Sequence, residues 1–179
     1  MKVAVVVVGA ESTGTRMLTQ MIIDQGFFGD AEDPQRVLQI LNASEPLEEP
    51  YVVVRRSVPH GEVWDGLSGL MWSLYERGYS LKVIVTVRDP YCICMSQAAN
   101  QKHAFNVNHA LRKIMRAYVN ILPELSSYDA VPYVILPYES LILSKGAALK
   151  KVFMLFNLPY EDKMYDVRDE NRKWYETVS

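Results

Sequence analysis

Residues 2–8, "KVAVVVV", are apolar at every position after the first. That is the pattern of a strand buried on both faces. The glycine-bearing stretch Gly9–Gly14 follows. Met17, Leu18, Met21 and Ile22 then recur at helical spacing until Gly26. From 27 to 50 the pattern weakens: it holds one helix around Gln35–Leu41 and the polar, proline-bearing "NASEPLEEP", a variable segment expected to be a mobile surface stretch. "YVVVRR" (51–56) predicts a second strand, followed by the loop "SVPHGE" and a helix carrying Trp64, Leu67, Met71 and Leu74. "LKVIVTV" (81–87) predicts a third strand, closed by "RDP". Pro90 fits the first turn of a helix that runs to about Gln101. Val107, Leu111, Ile114, Tyr118 and Ile121 share one face of a helix over 107–122. "PYVILPY" (132–138) predicts a fourth strand and "AALKKVFMLFNL" (147–158) a last amphipathic helix. The tail, 160–179, is charged and without clear period.

Solid apolar strands alternating with helices predict an α/β fold, a three-layer α/β/α arrangement around a mainly parallel sheet. In such sheets ligands bind beyond the carboxyl ends of the strands. Each predicted strand ends in a polar signature: "GAESTGTR", "RRSVPHG", "VRDPYCICMS" and "YESL". Four loops therefore converge on one edge.

Composition narrows the class. A chain of 179 residues, without internal repeats, is expected to form a single domain over 1–179. The formal net charge of −2 argues against a nucleic-acid partner held by backbone electrostatics. Cys92 and Cys94 are too close for a disulfide and too few for a zinc site, so free thiols in a reducing compartment are expected. The apolar run after Lys2 is short and leads into a glycine loop, which fits a buried strand better than a signal segment. No other run approaches transmembrane length, and a cytoplasmic protein with no membrane span is the expectation. A homo-oligomer is compatible with the sequence.

The first loop has the form G-x-x-x-x-G-T-R, in which Gly9, Thr13, Gly14, Thr15 and Arg16 can contribute to an anion cradle at the start of a helix. A nucleotide triphosphatase carries a lysine after the second glycine and a magnesium-binding hydroxyl after that. Here those positions are Thr15 and Arg16, so phosphate binding is favoured over Mg²⁺-ATP chemistry. Arg88 closes the third strand and Ser96 stands eight residues on, where the helix opened by Pro90 returns it to the same edge. An arginine fork and a hydroxyl together suit a phosphate monoester. Arg88-Asp89 as a structural ion pair is the alternative reading.

These motifs resemble those of sulfotransferases that use 3′-phosphoadenosine 5′-phosphosulfate (PAPS). "STGTR" (12–16) is similar to the family's K/R-S-G-T-T phosphosulfate loop, and Arg88 with Ser96 to its 3′-phosphate motif. "LPYESL" (136–141) is similar to its Y-E-D-L segment, and "LKKVFMLFNLPY" to the helix after it. The resemblance spans residues 1–160 in order. It implies a P-loop-containing, sulfotransferase-like fold and in-line transfer of a sulfuryl group from PAPS to a hydroxyl or amine of a small-molecule or carbohydrate acceptor, without a required metal. Ser12 stands where the family carries a cation, so the charge is expected from Arg16, Arg55 or Arg56. Period-two alternation sends only one of the last two into the site. In the tail Arg168, Asn171, Lys173 and Trp174 are candidate nucleotide contacts, and a solvated charged tail is the alternative.

For the acceptor's proton, His60 leads, with Glu62 the carboxylate alternative; Ser57 takes the family's usual base position. His103 fits a surface position. His109 shares a polar helical face with Arg112 and Arg116. Two other functions fit the loop: a P-loop nucleotide kinase or triphosphatase, and a nucleotide-binding protein without catalysis.

Overall fold

The structure is a computed structural model that describes residues 2–42, 48–58, 66–100 and 106–176. Strands β1 (Lys2–Gly9), β2 (Tyr51–Ser57), β3 (Tyr79–Val87) and β4 (Tyr133–Pro137) form one sheet in the order β2-β1-β3-β4. Every pairing is parallel. Helices α1 (Thr15–Ile23), α2 (Pro34–Asn42), α3 (Ser68–Glu76), α4 (Pro90–Asn100), α5 (Val107–Ser126), α6 (Tyr138–Ser144), α7 (Ala147–Leu155) and α8 (Arg172–Tyr175) surround it. None of the described helices is long and apolar enough to cross a membrane.

Strand alternation divides the apolar side chains between two cores. Ala4, Val6 and Val8 of β1, with Val52, Val54, Val83 and Val85, pack under α3, α4 and α5 through Met71, Leu74, Ile93, Ala117 and Ile121. Val3, Val5 and Val7, with Val53, Ile84 and Leu136, pack under α1, α6 and α7 through Leu18, Ile22, Leu141 and Phe153. Both faces of β1 are therefore covered, which is why it reads as an unbroken valine run.

The chain leaves β1 for β2 on one side, and β3 lies on the other. The loops after β1 and β3 diverge at that switch point and open a crevice at their carboxyl ends.

Some elements depart from the sequence expectation. β3 begins at Tyr79, which is buried and donates its hydroxyl to Glu49 O at 3.0 Å. α5 runs through Pro123 to Ser126, because Ile121 and Leu125 on either side of the proline are both in the core. "YESL" opens a short helix, α6, directly after Pro137, and the tail contains the single turn of α8. Trp64, placed on the helix of 64–74, lies outside the described residues. At the start of α5 the Asn106 side chain accepts from the His109 amide at 3.2 Å. Asn106→Ala is expected to cost about 1 kcal/mol in a urea unfolding curve.

Candidate nucleotide cleft

The loop between β1 and α1 is braced from behind before it faces any ligand. Thr13 Oγ1 donates to Ala10 O at 2.7 Å and lies 2.7 Å from Thr86 Oγ1 on β3. Gln97 of α4 donates to Glu11 O at 3.2 Å. Thr15 Oγ1 meets Ser57 Oγ at the end of β2, 2.9 Å away. Gly14 caps α1 at φ 87°, a left-handed conformation, and a Cβ there would come within 2.6 Å of the Tyr138 ring. Ser12 is also left-handed, at φ 69°, which non-glycine residues adopt rarely. The first-turn amides of α1 have no carbonyl four residues back, so they are available to an anion.

A cleft of about 1140 Å³ opens in front of this loop, a size that suits a nucleotide. Its walls include Ser12, Gly14, Thr15, Arg16, Arg55, Ser57, Arg88 and Ser96. Most of the candidates from both phosphate motifs thus share one cavity. Gly9, Thr13, Arg56, Asn171, Lys173 and Trp174 are not among its walls. Gly9 is packed against Thr86, and Thr13 is buried behind the loop with its hydroxyl engaged there. Lys173 instead pairs with Glu170 at 2.5 Å and sits over the Trp174 ring. His60, Glu62 and His103 lie outside the described residues. His109 is in the first turn of α5, away from the cleft wall.

Strand parity decides between the adjacent arginines. Arg55 follows Val53 onto the α1 side of the sheet and lines the cleft, whereas Arg56 does not. Arg16 and Arg55 are close enough that burial, and then the charge of Arg16, hold the Arg55 guanidinium below its ordinary value. Among the described residues Arg55 Nε is buried with no hydrogen-bond partner, and Nη2 reaches only Glu32 O at 3.5 Å. Arg16 pairs with Glu32, but both side chains are about two-thirds exposed (65% and 66%). Such a pair is worth at most about 1 kcal/mol and yields readily to a competing anion. Glu32 carried no signal in the weakly patterned 27–50 segment, and only the folded chain brings it here.

Arg88 is held more firmly. Its Nε donates to Asn171 Oδ1 at 2.6 Å and its Nη1 to Ser12 O at 2.9 Å. The guanidinium carbon lies 4.4 Å from the centre of the Tyr138 ring, a cation–π contact. Nη2 is buried and has no hydrogen-bond partner among the described residues. Asn171 comes from the charged tail, which packs back along α1: Tyr165 donates to Met21 O at 3.1 Å and accepts from Gln25 at 2.6 Å. Met164 to Arg168 and Glu170 consequently form the far wall of the cleft. Tyr138 Oη donates to Arg168 O at 3.3 Å and accepts from the Glu170 amide at 3.2 Å, and burial raises its pKa. Tyr138, Glu32, Gln97 and Tyr165 were not singled out from the sequence, because their roles arise from contacts between distant segments.

No protein-family model matches the chain and no curated protein matches it in sequence. Solved structures do match its fold. Mouse sulfotransferase SULT7A1, complexed with PAP, superposes with a TM-score of 0.53 at 13% identity over 100% of this chain. This chain spans 65% of the length of that protein. The sulfotransferase domain from the curacin biosynthetic pathway gives 0.57 at 12% identity, covering 95% of this chain and 80% of that one. The fold is therefore sulfotransferase-like.

Proposed function

We propose that this chain is a sulfotransferase that takes PAPS as donor and an acceptor hydroxyl or amine as its second substrate. The observation that carries the reading is the meeting, in one cleft, of an amide-lined glycine loop and an arginine whose buried Nη2 has no partner among the described residues. A loop of amides and an arginine from a different strand end, facing one cavity, suit a nucleotide that carries more than one phosphate group. The fold likeness to sulfotransferases, one of them bound to PAP, supports the same reading.

PAPS, when bound, supplies a sulfuryl group on a phosphate leaving group. In this assignment the first-turn amides of α1, with Gly14 and Thr15, hold the phosphosulfate end. Arg16 and Arg55 provide the cation that Ser12 lacks, Arg16 by exchanging Glu32 for the donor. Arg88 and Ser96 hold the 3′-phosphate. The acceptor's proton goes to His60 or Glu62, which follow β2 in the sequence. The acceptor is a small molecule or carbohydrate, and the protein acts in the cytoplasm.

Thermal unfolding of the full chain tests this with adenosine 3′,5′-bisphosphate, ADP, and ATP with Mg²⁺, each at equal concentration. The bisphosphate is expected to raise the midpoint most, with no metal added. A larger shift with Mg²⁺-ATP would move the chain to the nucleotide kinases, and no shift with any of the three would refute nucleotide binding.

A further inference from the structure

The tail stretch that resists periodic reading contains a side chain as buried as the core. Asn171 is 4% exposed, and both ends of its amide are committed. Oδ1 accepts from Arg88 Nε at 2.6 Å, and Nδ2 donates to Glu139 Oε1 at 2.9 Å. The same Glu139 oxygen accepts from the Asp89 amide at 3.1 Å. The chemistry fixes the amide's orientation, because an arginine can only donate and an ionised glutamate can only accept. Turned over, the amide would set donor against donor and acceptor against acceptor.

We infer that Asn171 is a positioning residue: with Glu139 it orients Arg88 for the 3′-phosphate of the donor, an inference that rests on the proposed function. Its value lies in being neutral. A carboxylate bonded directly to Arg88 would orient it equally well but would spend its positive charge on the protein. An amide between cation and anion passes on the orientation while leaving the charge to the ligand. With Nε held by Asn171, Nη1 held by Ser12 O and one face laid on Tyr138, rotation of the guanidinium is blocked. Nη2, without a partner among the described residues, is then fixed in advance of binding. Preorganisation of this kind raises affinity by removing the ordering cost at the moment of binding.

The test compares adenosine 3′,5′-bisphosphate with adenosine 5′-monophosphate by calorimetric titration of the full chain. The two ligands differ only in the 3′-phosphate. Wild type is expected to favour the bisphosphate strongly. Asn171→Ala is expected to reduce that preference about tenfold while leaving monophosphate affinity within about twofold, the size expected from one charge-assisted hydrogen bond. A role limited to holding the tail would weaken both ligands alike, and that result, or an unchanged preference, overturns the inference. If wild type itself shows no preference, the proposed function fails instead.

Asn171→Leu, of similar volume but unable to hydrogen-bond, repeats the comparison if the alanine variant does not fold. A ligand-free measurement on the wild-type chain stands apart from both. The Arg88 Nε–H proton should be protected from solvent exchange in NMR spectra at neutral pH, and rapid exchange there would overturn the inference without reference to nucleotide.

Discussion

Arg88→Ala is expected to weaken binding of adenosine 3′,5′-bisphosphate by about a hundredfold, while adenosine 5′-monophosphate loses less than about threefold. Two charge-assisted hydrogen bonds to a phosphate, at about 1.5 kcal/mol or more each, give that size. The selectivity follows from placement. Arg88 closes β3, across the switch point from Arg16 and Arg55, so its loss takes one hydrogen bond, to Ser12 O, from the glycine loop but leaves both of those arginines and the first-turn amides of α1 in the cleft. Arg88→Lys should rescue little. A lysine keeps the charge but has no fork with which to reach Asn171, Ser12 O and a ligand together. Calorimetric titration reads both affinities; an equal loss for the two nucleotides would mean that Arg88 supports the loop and not the 3′-phosphate.

Gly9→Ala is expected to destabilise the protein by about 3 kcal/mol or to prevent folding. A Cβ at Gly9 would lie 2.2 Å from Thr86 Oγ1, 2.6 Å from Thr13 Oγ1 and 2.7 Å from Thr86 O. The two side chains can rotate away, but the Thr86 carbonyl belongs to β3, directly across from Gly9 in the ladder. The opposite sign is expected for Gly69→Ala in α3, where a Cβ would meet no atom of the described residues within 4 Å beyond its own helix backbone and chain neighbours. There the alanine should stabilise by about 0.5–1 kcal/mol through helix propensity and a less flexible unfolded chain. Urea unfolding of the two variants side by side checks both. A Gly9→Ala protein as stable as wild type would show that β1 and β3 can separate at this point without cost.

What the sequence made legible is what local pattern controls. Buried parallel strands need continuous β-branched runs, so the strands and the α/β class could be read directly. Arg88 and Ser96 line one cleft because a strand end and the helix after Pro90 set their positions. At 55–56 alternation reduced the question to one arginine of two, and only packing against α1 selected Arg55. The glycine loop has no period, so nothing local distinguished Thr13, turned inward to Thr86, from Thr15, which lines the cleft. α6 is too short for its face to register as a repeat. In the tail, Asn171 is surrounded in sequence by Asp169, Glu170, Arg172 and Lys173, which hides a buried position inside a solvated composition.

Arg88 and its asparagine partner are 83 residues apart, and that separation sets an order of events during synthesis. β1, the glycine loop and Arg88 leave the ribosome first; at usual elongation speeds Asn171 follows roughly 4 to 17 s later. For that interval a nascent chain holds the strands that frame the cleft but has no far wall and no fixed arginine. An anion that meets the chain in that interval finds Arg88 without the side chain that holds its Nε. A chain stopped just short of Asn171 would retain every described strand of the sheet and lose the side chain that holds Arg88 Nε.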